Sequence, residues 1–373
     1  MKLPQLDMDY VQGVMLELLA IPSPTGFTDE VVHYTGERLE ALGIDFGLTR
    51  RGAIRANIEG REESPDRAVV AHLDTIGCMV KQLKENGRLL LVPIGTWSSR
   101  FAEGARVTVF TEERRYRGTI LPLKASGHTY SDEVDTQTVS WQHVELRVDE
   151  HAETRGDLER LGIHIGDYVA VDPQPEITDT GYINSRHLDD KAGVAVVLGA
   201  AKAVLECGRQ LPVTTHLLFT LSEEVGSGAS HVLHRDVAEM VTIDTATIAP
   251  EQNTSERGVT IAMQDSDGPF DYHLSRKLIQ LCEDNDIYHT RDIFRYYHSD
   301  SASAIDAGND IRTALACFGT DATHSWERCH LQTLESLGRL LTAYMLSEPT
   351  FRRDREELGP LEGFSQQQEG LEE

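Results

Sequence analysis

The chain is short of basic residues, aromatics, cysteine and long apolar runs, and each shortage removes a class of protein. Lysine and arginine number 35 against 61 aspartates and glutamates, a formal charge of −26. A surface so acidic repels phosphate backbones and anionic lipid heads, which sets aside nucleic acid and membrane as partners. The five cysteines (Cys78, Cys207, Cys282, Cys317, Cys329) are scattered, odd in number and form no CxxC. That excludes a disulfide framework and a thiolate zinc site. No run approaches the ~18 apolar residues needed to cross a bilayer. Near the N-terminus, Asp7, Asp9 and Glu17 stand where a signal peptide would carry a basic segment and a clean apolar stretch. The apolar Val11, Val14, Met15, Leu18 and Leu19 follow helical spacing instead. An amphipathic first helix of a cytoplasmic protein is expected.

What remains is globular in character: 373 residues, 40% hydrophobic and 26% charged, enough for one large domain or two ordinary ones. Residues 28–43 predict a helix with Thr28 as cap and Gly43 as stop. RAVVAHLD (67–74), VTTHLLFTLSEE (213–224), MVTIDT (240–245) and RTALACFG (312–319) predict buried strands. KAGVAVVLGAAKAVLE (191–206), residues 269–285 and LQTLESLGRLLTAYM (331–345) predict helices, the last through its leucine stripe. Alternating strands and helices predict an α/β domain with a mostly parallel central sheet flanked by helices. Between 89 and 177 the pattern shifts to short strand-like runs divided by Gly, Pro and charged turns. A small β-barrel domain is therefore expected there, inserted into a discontinuous α/β domain of residues 1–88 and 178–345. Residues 346–373, ending in QQQEGLEE, are expected to form a flexible acidic tail.

The acids are informative by position. An open α/β sheet forms its crevice at the carboxyl ends of its strands. There the sequence places His72 and Asp74, Asp189 before the helix 191–206, Glu223 and Glu224, Asp244, and His324. Residues i and i+2 of a strand share a face, so the Asp74 carboxylate is expected to accept from His72. Imidazole with carboxylate suits zinc, cobalt or manganese. Each pattern has an ordinary reading too: a chance HxD, a solvated Glu-Glu turn, an aspartate helix cap. Taken together, at strand ends, they point to one site. His298, beside Asp300, is a candidate for substrate contact. His216 is expected to be a hydrogen-bonded core residue, and His128, His143, His151 and His164 belong to the inserted module.

In this order IPSPTG (21–26), AHLDTIG (71–77), NSRHLDDKAG (184–193), TLSEEVGSGA (220–229), ID (243–244) and THSWE (323–327) form a set. With it the chain resembles the co-catalytic metallopeptidases that include tetrahedral (TET) aminopeptidases, glutamyl aminopeptidase and endoglucanase-M-like proteins. The resemblance spans about residues 8–345. It implies a zinc-peptidase-like fold and two divalent metals, zinc first, with cobalt or manganese as alternatives. Asp189 would bridge them, His72 and Asp244 completing one site, Glu224 and His324 the other. Glu223 would be the general base for the bridging water, Asp74 the partner of His72, and the Asp189-Asp190 peptide cis. Self-assembly, plausibly into a dodecamer, is implied as well. Three positions depart from the family pattern: Thr75 where Glu is usual, Lys191 where Arg is usual, and CFGTDATHSWE without the usual Pro-Arg-Tyr approach. These resemble a branch associated with the osmoprotectant N-acetylglutaminylglutamine amide. The leading expectation is an aminopeptidase acting on short peptides. The alternatives are an amidohydrolase or deacylase acting on a small acylated dipeptide or osmolyte-related amide, and a metal-stabilised binding protein.

Overall fold

Four apolar runs become the centre of a nine-stranded sheet in the computed structural model, which describes residues 3–233, 237–356 and 358–367. Leu211–Thr220, Gly60–His72, Val237–Thr247 and Arg312–Thr320 lie side by side and parallel. Apart from residues 60–64, their side chains are buried almost throughout, as strands covered on both faces must be. The flanks turn mostly antiparallel. Ile54–Ile58 and Asp45–Leu48 extend one side, and Val259–Asp265 extends the other, with Gly268–Pro269 antiparallel and His289–Ile293 parallel beside it. Because the four central strands share a direction, their carboxyl ends open on one edge.

Helix Leu188–Glu206 is buried nearly all round. It packs against Met8–Leu19 and Leu331–Leu346. Gly199 comes so close to Val11 that no side chain would fit. The leucine stripe of the last helix (Leu334, Leu337, Leu340, Leu341) is fully buried, so amphipathic spacing located it. The first helix is capped by Asp7, whose carboxylate accepts from the Tyr10 N–H at 3.0 Å. No described helix is long and apolar enough to cross a membrane.

The inserted module is a closed six-stranded barrel ordered Gly77–Leu83, Leu89–Ile94, Val144–Val148, Arg115–Pro122, Arg106–Phe110 and Tyr168–Val171. Its boundaries differ from the expected 89–177. The barrel begins at Gly77, because GCMVKQL closes it between Leu89–Ile94 and Tyr168–Val171. It ends at Val171. Glu176–Ile177 instead pairs with Tyr182–Ser185, which pairs with Glu327–His330 in a separate three-stranded antiparallel sheet.

The expected tail is also corrected over its first part. Thr350 N–H donates to Glu239 at 2.9 Å, Arg312 pairs with Asp354 at 2.7 Å, and the Arg312 guanidinium lies over Phe351. The basic residues Arg352, Arg353 and Arg355 break up its acidity, and Arg352 reaches Glu62 at 2.9 Å. The residues 368–373, with most of QQQEGLEE, lie outside the described residues.

Candidate metal centre

The open edge of the sheet gathers residues from five segments. His72 is the last residue of its strand, whose path continues with Leu73 N–H donating to Thr220 O at 2.9 Å. Glu223 and Glu224 follow the neighbouring strand in a tight 3-10 turn closed at Gly226. Asp244 projects near the end of Val237–Thr247. Asp189 opens the long helix, and the Asp189-Asp190 peptide is cis. His324 arrives from the loop after Arg312–Thr320.

The three-stranded sheet explains how Asp189 and His324 meet. Ser185 pairs with Glu327 and Asn184 with Arg328, so NSRHLDD and THSWE run antiparallel up to the site. Beyond the ladder, Thr323 Oγ1 donates to Asp189 at 3.0 Å. Glu327 accepts the backbone N–H groups of Asp189 at 3.2 Å and His324 at 3.1 Å. Burial first, then Asp189, raises the Glu327 carboxyl to about 8.

Two groups of ligand-type atoms result. His72, Asp189 and Asp244 offer atoms within 4.8 Å of one another, and so do Asp189, Glu224 and His324. Asp189 belongs to both. Its Oδ1 lies 3.0 Å from His72 Nε2 and its Oδ2 3.5 Å from His324 Nε2, which is also 3.2 Å from Glu224. Glu223 stands beside them, its Oε2 3.8 Å from His72 Nε2.

The electrostatics describe a site short of positive charge. Burial opposes protonation of His72, yet Asp189, Glu223 and Asp190 raise its pKa well above the ordinary value. His324 is likewise disfavoured by burial but driven to about 12, chiefly by Glu224 and Asp189. Asp189 stays ionised against its burial because His324 and His72 hold it far below the carboxylate range. Burial pushes Glu223 and Asp244 up, with neighbouring acids adding to the shift. Buried like charges at these distances cannot all ionise without cations. The donor set, imidazoles and carboxylates with Asp189 common to both groups, fits divalent metal ions.

The surroundings depart from expectation at Asp74. His72 Nδ1 donates to the Asp74 backbone carbonyl at 2.8 Å, and the carboxylate is 3.7 Å away. That carboxylate instead accepts from Thr25 Oγ1 at 2.6 Å and from the N–H groups of Glu223 (3.2 Å) and Glu224 (3.4 Å). Period-two spacing put the two side chains on one face, but the nearer backbone oxygen takes the imidazole proton. The IPSPTG segment is tied in through Thr25 and through the Pro24–Thr75 bridge.

The barrel also reaches the cluster. His324 Nδ1 donates to the carbonyl of Thr96, in the barrel, at 2.8 Å. The preceding Gly95 has φ +81°, and a Cβ there would lie 2.9 Å from Ile76 and 3.5 Å from the Glu224 carboxylate. Glu224 accepts the Ile76 N–H at 3.1 Å. A Gly-Thr pair in a turn is too common a signal to have found this.

The rival residues fall outside the cluster. His216 bonds Asn57 at 2.6 Å and Asp66 at 2.9 Å, a core role. His298 lies by the Gly226 turn, where a Cβ would come 3.7 Å from its Nε2, and its Nδ1 is 3.6 Å from Asp267. Asp300 is buried beneath, accepting from Thr220 Oγ1 and the Ala229 N–H. Lys191 does not enter the site: its ammonium donates to the carbonyls of Leu18, at 2.9 Å, and Ile21 at the end of the first helix.

Comparisons of sequence and of fold relate the chain to known proteins. The family model described as M42 glutamyl aminopeptidase matches residues 52–340. The putative aminopeptidase YhfE of Bacillus subtilis is 39% identical over 332 residues, covering 89% of this chain and 96% of that protein. Aminopeptidase APDkam598 from Desulfurococcus kamchatkensis superposes with a TM-score of 0.83 at 20% identity, covering 95% of this chain and 99% of its own. The Pyrococcus horikoshii TET1 peptidase superposes with a TM-score of 0.78 at 21% identity, covering 90% of this chain and 99% of its own. The chain belongs to the M42 family of aminopeptidases, metal-dependent hydrolases of peptide bonds.

Proposed function

We propose that the chain removes N-terminal residues from short peptides at a centre of two divalent cations, with Glu223 as general base. His72, Asp189 and Asp244 would hold one cation, and Asp189, Glu224 and His324 the other. The observation that carries this reading is that Asp189 is common to both groups of ligand atoms. When bound, such cations supply Lewis acidity to the scissile carbonyl and lower the pKa of water.

The chain's own residues do the rest. Glu223, whose Oε2 stands 3.8 Å from His72 Nε2, takes a proton from the attacking water and returns it to the leaving amine. Asp74 holds the Glu223 backbone so that the carboxylate stays over the cluster. His72 and His324 keep fixed tautomers because Nδ1 of each donates to a backbone carbonyl. The free ammonium of a peptide would be drawn to the acids that remain unneutralised. Glu223→Gln is expected to keep both metals by elemental analysis while kcat falls by about 10² to 10⁴. A kcat near wild type would remove Glu223 from the role.

Zinc leads among the candidate metals, with cobalt or manganese behind it. Self-assembly belongs to the same proposal: the Pyrococcus horikoshii TET1 peptidase is described as forming a tetrahedron or a large octahedral shell, and this chain has the corresponding fold with a barrel of its own.

A further inference from the structure

The site is walled by acids, yet on the segment that leads to Asp189 one guanidinium has no hydrogen-bond acceptor among the described residues. Arg186 is half-buried, three residues before Asp189, and among the described residues no carboxylate or carbonyl takes a hydrogen bond from its side chain. Elsewhere buried arginine is matched: Arg67 with Glu239 at 3.3 Å, Arg312 with Asp271 and Asp354. Burial holds Arg186 below the ordinary arginine value, with Glu327 acting against it from beyond ion-pair distance. Glu327 is already engaged by the N–H groups of Asp189 and His324.

What Arg186 does contact is Trp326, its guanidinium carbon 5.5 Å from the ring centroid. The ladder that pairs Ser185 with Glu327 sets these two residues opposite each other, one step beyond the last pair. Opposite residues of an antiparallel pair share a face. Trp326 is half exposed. A stacked guanidinium keeps its in-plane N–H donors free, and their fork matches a carboxylate. Along these two segments Arg186 lies three residues from Asp189 and Trp326 two residues from His324.

We infer that Arg186, with the Trp326 ring beneath it, is the subsite that receives a substrate carboxylate. This rests on the proposed peptidase reading and narrows it. The carboxylate has two possible sources: the terminal carboxylate of a dipeptide or an acidic side chain on the residue released. In an otherwise acidic, cation-bearing pocket this single fork makes a negatively charged peptide a better substrate than its neutral analogue.

The test compares pairs differing only in that charge. Ala-Ala is set against Ala-Ala amide, and glutamyl p-nitroanilide against glutaminyl p-nitroanilide, with the metal-loaded enzyme. One pair is expected to show a preference of about 10- to 100-fold in kcat/KM for the acid, the range for a hydrogen bond to a charged group. The pair that shows it identifies the source. In Arg186→Gln that ratio is expected to collapse toward one, and Arg186→Lys to restore part of it. A ratio is insensitive to general loss of folded enzyme. Calorimetric binding of a reduced-amide Ala-Ala isostere against its C-terminal amide, and of glutamate against glutamine, supplies the same ratios without turnover. Absence of turnover on every substrate would sink the peptidase proposal, and the binding ratios would still decide this one. Wild type without preference in either pair, or a preference unchanged in Arg186→Gln, overturns the inference.

Discussion

Asp74 is the residue whose chemistry differs most from a reading by spacing alone. Its carboxylate is wholly buried and accepts three donors, Thr25 Oγ1 and the N–H groups of Glu223 and Glu224. Removing it strands those donors away from water, at a cost of about 1–3 kcal/mol for each unsatisfied group, less whatever a water molecule recovers. Asp74→Ala is expected to lose about 2–4 kcal/mol in urea unfolding. A drop in kcat of about 10- to 100-fold should accompany it, because the Glu223 turn loses its brace. Unchanged kcat in a destabilised variant would mean that the turn is held by something else. Asp190 plays a parallel part: its Oδ2 accepts the His72 backbone N–H at 3.2 Å, so it supports a proposed ligand without being one of the clustered atoms.

Among the elements, the barrel turn at Gly95 and Thr96 links module and site. The Thr96 carbonyl fixes the His324 tautomer, and Trp97 anchors the turn through its indole N–H, which donates to Gly77 O at 3.0 Å. Gly95→Val meets two obstacles, a positive φ that β-branched residues avoid and the Ile76 side chain. The backbone must shift, carrying Thr96 from His324 and crowding Glu224. Affinity for the cation proposed at Asp189, Glu224 and His324 is expected to fall about 10- to 100-fold in a metal titration, as when an outer partner of a ligand is lost. Metal affinity unchanged from wild type would separate the barrel from metal binding. The short ladder of Tyr182–Ser185 with Glu327–His330 matters in the same way, because its register sets Asp189 against Thr323.

For the whole molecule, the edge of the sheet away from the site holds a second buried charge cluster. Arg67 and Lys277 share Glu239, and both cations lie over the Tyr344 ring. Lys277 is lowered from 10.5 to about 8 by burial, with Glu239 opposing the shift. A lysine depressed in the fold binds fewer protons there than in the unfolded chain between those values. Stability should therefore rise with pH across that window, and the penalty should be fully present below it. The contribution is up to about 3 kcal/mol. Lys277→Met should flatten the slope when unfolding free energies are measured from pH 8 to 10.5; parallel slopes would assign the dependence elsewhere. Assembly is tested by light scattering. A species near twelve times the 41.5 kDa chain mass is expected, and a monomer at working concentration would refute the assembled form.

The sequence by itself determined the layer architecture, the presence of a barrel and the residues that cluster. Buried parallel strands must be apolar, and acids at their ends interrupt that pattern visibly: HLD after RAVVA and SEE after LLFTL announce themselves. The leucine stripe at 331–345 was equally legible, since helical period is local. Tertiary structure alone decided which oxygen serves His72, because side chain and carbonyl of one residue compete within an ångström. It alone put Thr96 against His324 and Lys191 against Leu18 and Ile21, far along the chain in both cases. The barrel's true start at Gly77 and the docked segment around Thr350–Asp354 were hidden for a related reason. Their residues are mixed in polarity, and their place is set by the partners they close against, not by any period of their own.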